Sequence, residues 1–375
     1  MKKKIIFFNI LFLIILLWVV DYSVFEIRQY QSYQSCLKLG IREENILRNQ
    51  YFCKITSFIK HWLEYIYQDS IVNSNSNDAV LLLGCSFMQG EGIEFQESFS
   101  YHLSKLLDIN TYNRALGGRG ISEMYFQTQI LYILSTIEKM KNNCSNDECS
   151  EQDVINKAIK SLSFDKKTEK YFMEIFNDKE AKDFIYKNFS PIIDKNIEYI
   201  FYIYIDDHIR RYYTRREPDT FYVDRLSFKY DKKNNQFILR NPYFSPYRTL
   251  YIVEVLREKF IKKNYLDSHN YYEENLFMWS QLMLKTKEIF DKIYNNRIKK
   301  YVIINYNNML ENKYSYNLMK YLPEDSFIVV NISDLVDDDI NLKKYVTPWD
   351  NYHPSRFVWE EATPKIVKII KENQE

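Results

Sequence analysis

Ser86 follows an apolar run in "AVLLLGCSF", and Asp350 and His353 stand three residues apart in the Pro-flanked stretch "TPWDNYHPS" near the other end of the chain. A serine hydroxyl is a poor nucleophile until a base takes its proton, and histidine serves as that base when a carboxylate orients its ring. The spacing of Asp350 and His353 lets one short turn present both groups. Gly118, in "NRALGGRG", lies in a turn where a bare backbone N–H can face a developing oxyanion. Asp206, Asp207 and His208 close a further apolar run, "EYIFYIYIDDH". Each signal has a plainer reading: Ser86 as a helix N-cap, His353 as a surface or core residue, His208 paired with Asp207 or a backbone carbonyl. His61, His102 and His269 have no supporting neighbours and read as structural.

Two other chemistries use the same residue types. Cys85 could act with a histidine as a thiol nucleophile, although a small buried cysteine is the plainer assignment. Asp206, Asp207, His208, Asp350 and His353 could hold a hydrolytic metal, but the glycines would then have no task. No C-x-x-C pair occurs, which argues against a structural zinc site. The balance of readings expects no metal and no cofactor.

These residues need elements to position them. "AVLLLGC" is short, wholly apolar and ends in glycine, as befits a strand buried on both faces of a parallel sheet. "ESFSYHLSKLLDI" has helical spacing, "TYNRAL" reads as a second strand, and "SEMYFQTQILYILSTIEKM" as an amphipathic helix. This β-α-β-α order is that of a doubly wound α/β domain. Residues 141–196 turn charged and helical, and "EYIFYIYIDDH" returns as a strand. A hairpin is expected around Asp231 to Asn235. Two more core strands follow, "KYVIINY" and "SFIVVNIS", with helices before and between, and a closing helix runs from Phe357 to Lys371. Six of the seven glycines, Gly84, Gly90, Gly92, Gly117, Gly118 and Gly120, fall in the first part of this pattern. Such crowding marks a place where backbone must take unusual angles or be approached closely.

The N-terminus, "MKKKIIFFNILFLIILLWVVD", sets three lysines before an apolar run from Ile5 to Val20 broken only by Asn9. At 1.5 Å per residue that run spans roughly 24 Å, which Lys snorkelling and flanking Trp18 and Tyr22 extend toward a bilayer's thickness. With no small-residue cleavage site after it, residues 1–25 read as cytoplasmic lysines and an uncleaved signal anchor, ahead of a removed signal peptide or a buried soluble helix. The rest is then extracytoplasmic, in the periplasm or at the cell surface. Residues 26–77 form a helical linker region and 78–375 the catalytic-type domain, with inserts near 141–196 and 210–300. In an exported chain, Cys36 with Cys53 and Cys144 with Cys149 suit local disulfides, leaving Cys85 odd. With 51 basic against 50 acidic side chains and a net charge of +1, nucleic acid is not an expected partner.

The blocks "GCSF", "NRALGG", "YIDDH" and "DNYH" occur in this order at the ends of the expected strands and in the C-terminal loop. In that order they resemble the SGNH hydrolase superfamily, the GDSL-type esterases and lipases, over roughly Asp78 to Lys371. The resemblance implies a flavodoxin-like three-layer α/β/α fold with a central parallel sheet. By that resemblance Ser86 is the nucleophile and one backbone oxyanion donor, Gly118 the second donor, His353 the base and Asp350 its orienter. Cys85 stands where the family has Asp, at a position more structural than catalytic. Asp206 stands where an asparagine side chain would complete the oxyanion hole, and a carboxylate donates only when protonated. Burial beside Asp207 could raise its pKa, or His208 could replace it; Asp207 and His208 are candidate substrate-site residues. The implied activity is that of a serine esterase on O-acyl groups, such as O-acetyl, of an envelope carbohydrate or lipid. The same triad would make an O-acyltransferase if a sugar hydroxyl replaced water, and a catalytically inactive glycan-binding or scaffold protein is the alternative from another class.

Overall fold

The computed structural model describes residues 67–73, 76–117, 120–143, 150–162, 164–205, 208, 228–231, 234, 236–239, 269–306, 318–337, 339, 343–348 and 353–373. By internal contacts the chain divides into two compact units. One comprises Leu63–Arg216, Arg225–Arg240 and Asn275–Glu375 and holds every strand among the described residues. Of the other, only residues 269–274, the start of one helix, are among those described. The expected anchor, 1–25, lies outside the described residues, as do Cys36, Cys53, Cys144 and Cys149. Among the described residues no helix is long and apolar enough to cross a membrane.

The core is a five-stranded, all-parallel sheet built from β1 (Asp78–Leu83), β2 (Asn110–Asn113), β3 (Asn196–Tyr204), β6 (Lys300–Asn305) and β7 (Ile328–Asn331), in the order β2-β1-β3-β6-β7. A separate antiparallel hairpin joins β4 (Phe228–Asp231) to β5 (Gln236–Leu239), about the expected turn. Every residue of β1 after Asp78 is buried. Val80 and Leu82 join one apolar cluster with Phe201, Ile203, Val302 and Ile304, beneath α2 (Phe99–Leu107) and the closing helix α8 (Arg356–Glu372). Leu83, Ile200, Tyr202 and Tyr301 point to the other face, toward α3 (Ile121–Asn142) and α7 (His269–Ile293). Alternate side chains of one strand thus need apolar partners on both sides, which is why β1 shows no polar alternation.

The helices begin where the chain supplies capping groups. Ser98 accepts a hydrogen bond from Tyr101 N at the start of α2, and Glu123 accepts one from Gly120 N at the start of α3. The charged segment after α3 forms α4 (Glu151–Ser161), α5 (Lys166–Asn177) and α6 (Lys179–Ile193), the last capped by Asp178. A single helical turn, α1 (Ser86–Gln89), follows β1. Between β6 and β7 the described residues hold one 3-10 turn, Leu318–Tyr321; the helix expected there would fall on residues outside the description.

Residues 67–73 are fastened to the sheet's edge. Ser70 pairs with Thr111 through two backbone hydrogen bonds of 2.9 Å. The Asn110 side chain accepts from Val72 N and Asn73 N and donates to Asn73 O. Arg114, with its side chain 2% exposed, makes a two-pronged pair with Asp69 and also donates to the carbonyls of Asn188 and Asn113. Its guanidinium lies 4.7 Å from the centre of the Tyr67 ring. Asp69→Ala strands that buried cation and is expected to cost about 3 kcal/mol. The double exchange Asp69→Leu with Arg114→Met is expected to cost less than Asp69→Ala alone, and urea unfolding of the three variants checks both statements.

Candidate active site

In this strand order the chain leaves β1 toward one edge of the sheet and leaves β3 toward the other. The carboxyl ends of β1 and β3 therefore flank a topological switch point, where open α/β sheets bind their ligands. Ser86 lies just beyond the end of β1, as the first residue of α1. That turn is short but firmly tied: Met88 N and Gln89 N donate to Cys85 O, and Gly90 N and Glu91 N both donate to Ser86 O. Gly90, at φ 84°, ends it in the left-handed conformation.

Gly84 sets the entry angle of this turn. It adopts φ 142°, and a Cβ there would come within 2.6 Å of Ile203 Cγ2 on β3. The glycine is required by the close packing of β3 against the exit of β1. Gly84→Ala is expected to destabilise the fold by roughly 2–4 kcal/mol through overpacking and backbone strain. Adding Ile203→Ala is expected to cost less than the sum of the two single changes, measured by urea unfolding of all three variants.

The exit of β2 runs beside the exit of β1. Arg114 N donates to Leu82 O and Leu116 N to Gly84 O. The buried Asn113 side chain spans the two, donating to Met88 O at 3.0 Å and accepting from Ala115 N at 3.1 Å. The serine turn and the loop leading to the glycines are thereby locked together. Asn113 was not among the sequence candidates; its only signal was an amide at the end of a short strand.

His353 approaches from the far end of the chain. Val346 and Pro354 form an antiparallel bridge, with Thr347 N donating to His353 O at 2.8 Å and Ser355 N to Tyr345 O at 2.9 Å. The loop is thus closed at its base immediately before α8. Its imidazole Nε2 lies 2.7 Å from Ser86 Oγ, a contact across 267 positions of sequence. Ser86 is 5% exposed and His353 8%. The Phe87 ring lies 5.1 Å from the His353 ring and 5.1 Å from that of Tyr306, the latter edge to face. Burial pushes the Tyr306 phenol pKa up, so this wall of the site stays neutral.

One carboxylate unforeseen from sequence reaches the same nitrogen. Glu91 Oε2 lies 3.6 Å from His353 Nε2. Glu91 stands between Gly90 at φ 84° and Gly92 at φ 87°, so the chain folds back on α1 and returns this side chain to the pair. The sequence signal was the triplet Gly-Glu-Gly itself.

Of the sequence candidates, Ser86 and His353 are brought together. His208 is fully buried at the end of β3, its Nδ1 2.7 Å from the Tyr202 hydroxyl. The Tyr202 and Tyr204 rings lie beside it, and Trp279 of α7 packs on both. Gly118, Asp206, Asp207 and Asp350 lie outside the described residues. Cys85 is fully buried in the apolar cluster as the residue preceding α1. Among the described residues no group of three or more His, Cys, Asp or Glu side chains could hold a metal ion.

Chemically, an imidazole nitrogen at hydrogen-bond distance from a serine hydroxyl can take its proton, and the neutral phenyl and phenol wall keeps the pair dry on one side. Compared with protein-family models, with curated proteins and with solved structures, the chain matches none.

Proposed function

We propose that this chain is a membrane-anchored, extracytoplasmic serine esterase of the SGNH kind, acting on O-acyl groups, such as O-acetyl, of an envelope carbohydrate or lipid. The observation that carries the reading is the 2.7 Å approach of His353 Nε2 to Ser86 Oγ at the switch point of a parallel sheet. Counted within the sheet, the strand order 2-1-3-4-5 is the flavodoxin-like one, which agrees with the fold the resemblance implies.

In this reading Ser86 Oγ attacks the ester carbonyl carbon while its proton passes to His353 Nε2. The oxyanion takes hydrogen bonds from the N–H of Ser86, which begins α1 and is not needed within that turn, and from the N–H of Gly118. The bond from carbonyl carbon to alcohol oxygen then breaks, and His353 returns the proton to the departing alcohol. Water, deprotonated by the same nitrogen, releases the acid from Ser86. In this reading Asp350 orients His353 through Nδ1 and Asp206 and Asp207 are candidate substrate-site residues, while His208 is fully buried against Tyr202. Residues 1–25 hold the enzyme at the membrane.

The test is fluorophosphonate labelling of the full chain in detergent micelles, with p-nitrophenol release from its acetate ester followed in parallel. Labelling with turnover supports the esterase. Labelling with product only when a sugar acceptor is added makes the chain an O-acyltransferase. A folded chain that neither labels nor turns over overturns the reading in favour of a catalytically inactive glycan-binding protein.

A further inference from the structure

We infer that Glu91 selects the alcohol part of the substrate, and that this part is a polyol whose second hydroxyl donates a hydrogen bond to the Glu91 carboxylate. The inference rests on the serine esterase reading above and deepens it. In that chemistry the departing alcohol oxygen receives its proton from His353 Nε2, so it must lie within hydrogen-bond distance of that atom. Glu91 Oε2 is 3.6 Å from the same nitrogen, while Ser86 Oγ is 2.7 Å from it. An alcohol oxygen placed at Nε2 is therefore a close neighbour of the carboxylate.

The Glu91 side chain is 45% exposed whereas Ser86 and His353 are nearly buried, so the carboxylate stands on the open side, where the alcohol enters and leaves. An ionised carboxylate only accepts hydrogen bonds. An alkyl alcohol would leave it facing hydrocarbon, while a carbon chain bearing a second hydroxyl on the second or third carbon from the ester oxygen offers it a donor. A site that holds a substrate hydroxyl discriminates strongly against the analogue lacking it. A negative charge here also disfavours anionic alcohols. The two left-handed glycines that flank Glu91 account for how its side chain reaches the pair at all.

The probes are 1-O-acetylglycerol and propyl acetate, the same three-carbon alcohol with and without its hydroxyls, assayed by acid release with the full chain. Wild type is expected to prefer the glycerol ester. Glu91→Ala is expected to lower kcat/KM for that ester about tenfold more than for propyl acetate, the low end for a hydrogen bond to a charged group. Glu91→Gln, whose amide oxygen still accepts, is expected to recover most of the preference. Equal loss on both esters, with the acid limb of the pH profile moving in both variants, would place Glu91 on His353 alone and overturn the inference. So would a wild type that hydrolyses both esters alike. Fluorophosphonate labelling separates the two levels: a chain that labels but shows no alcohol preference refutes only the role of Glu91, and one that neither labels nor turns over refutes the esterase as well.

Discussion

Ser86→Ala and His353→Ala are each expected to lower turnover of p-nitrophenyl acetate by roughly 10⁴- to 10⁶-fold, measured above the uncatalysed background, and Ser86→Ala to abolish fluorophosphonate capture. Cys85 beside it does not stand in for Ser86, being fully buried in the apolar cluster. His353 Nε2, the proposed base, lies 2.7 Å from the hydroxyl. Because the two act as a unit, the double variant should be no worse than the poorer single one. Both changes are at nearly buried positions, so circular dichroism and urea unfolding must accompany the kinetics. Capture that survives in folded Ser86→Ala would move the nucleophile elsewhere and sink the assignment.

If Asp350 orients His353 as proposed, Asp350→Asn is expected to lower kcat by about 10⁴-fold. The reason is the tautomer. For Nε2 to accept the serine proton, the ring's single proton must sit on Nδ1, and a carboxylate at Nδ1 both holds that proton and stabilises the imidazolium that forms. An asparagine can turn its NH₂ toward the ring and favour the opposite tautomer, with Nε2 protonated and useless as a base. Steady-state kinetics with a pH profile checks this. A fall of less than about tenfold would assign the orienting role to another group and leave Asp350 with a part in the loop alone.

Much of the scaffold was legible because its signals are local. The apolar run Ala79–Leu83 suited a strand buried on both faces and is one, and the later apolar runs are strands as expected, Lys300–Asn305 mostly buried and Ile328–Asn331 only partly. The helices themselves were read from spacing, while their starts at Ser98, Gly120 and Asp178 were not singled out and emerge from the structure. The hairpin about Asp231 was readable from its polar turn between two alternating runs. Residues 67–73 were less so: helical spacing continues to Asp69, but from residue 67 on the chain is extended and Ser70 pairs with Thr111, a tertiary choice that propensity does not foresee.

At the site, residue type and order pointed to Ser86 and His353, since serine needs a base and few histidines were available. The glycine crowding was read as a place of unusual backbone angles or close approach, and Gly84, Gly90 and Gly92 take positive φ there, each for its own reason. Gly84 answers to Ile203, which is 119 positions away. Gly90 and Gly92 serve the return of Glu91. Arg114 gave no sign of burial, because a charged side chain can be buried only when distant groups, here Asp69 and the carbonyl of Asn188, converge on it.

What the sequence determined by itself was the parallel α/β pattern of most described strands and helices and the residue types that could do chemistry, because periodicity and turn residues act within a few positions of one another. Only the tertiary structure decided which strands flank the switch point, how Asn113 ties the serine turn to the second strand, and that Glu91 shares a nitrogen with Ser86. Those contacts join positions separated by tens to hundreds of residues, and they are set by how a twisted sheet and its helices bury apolar surface on both faces, a condition that no short stretch of chain contains.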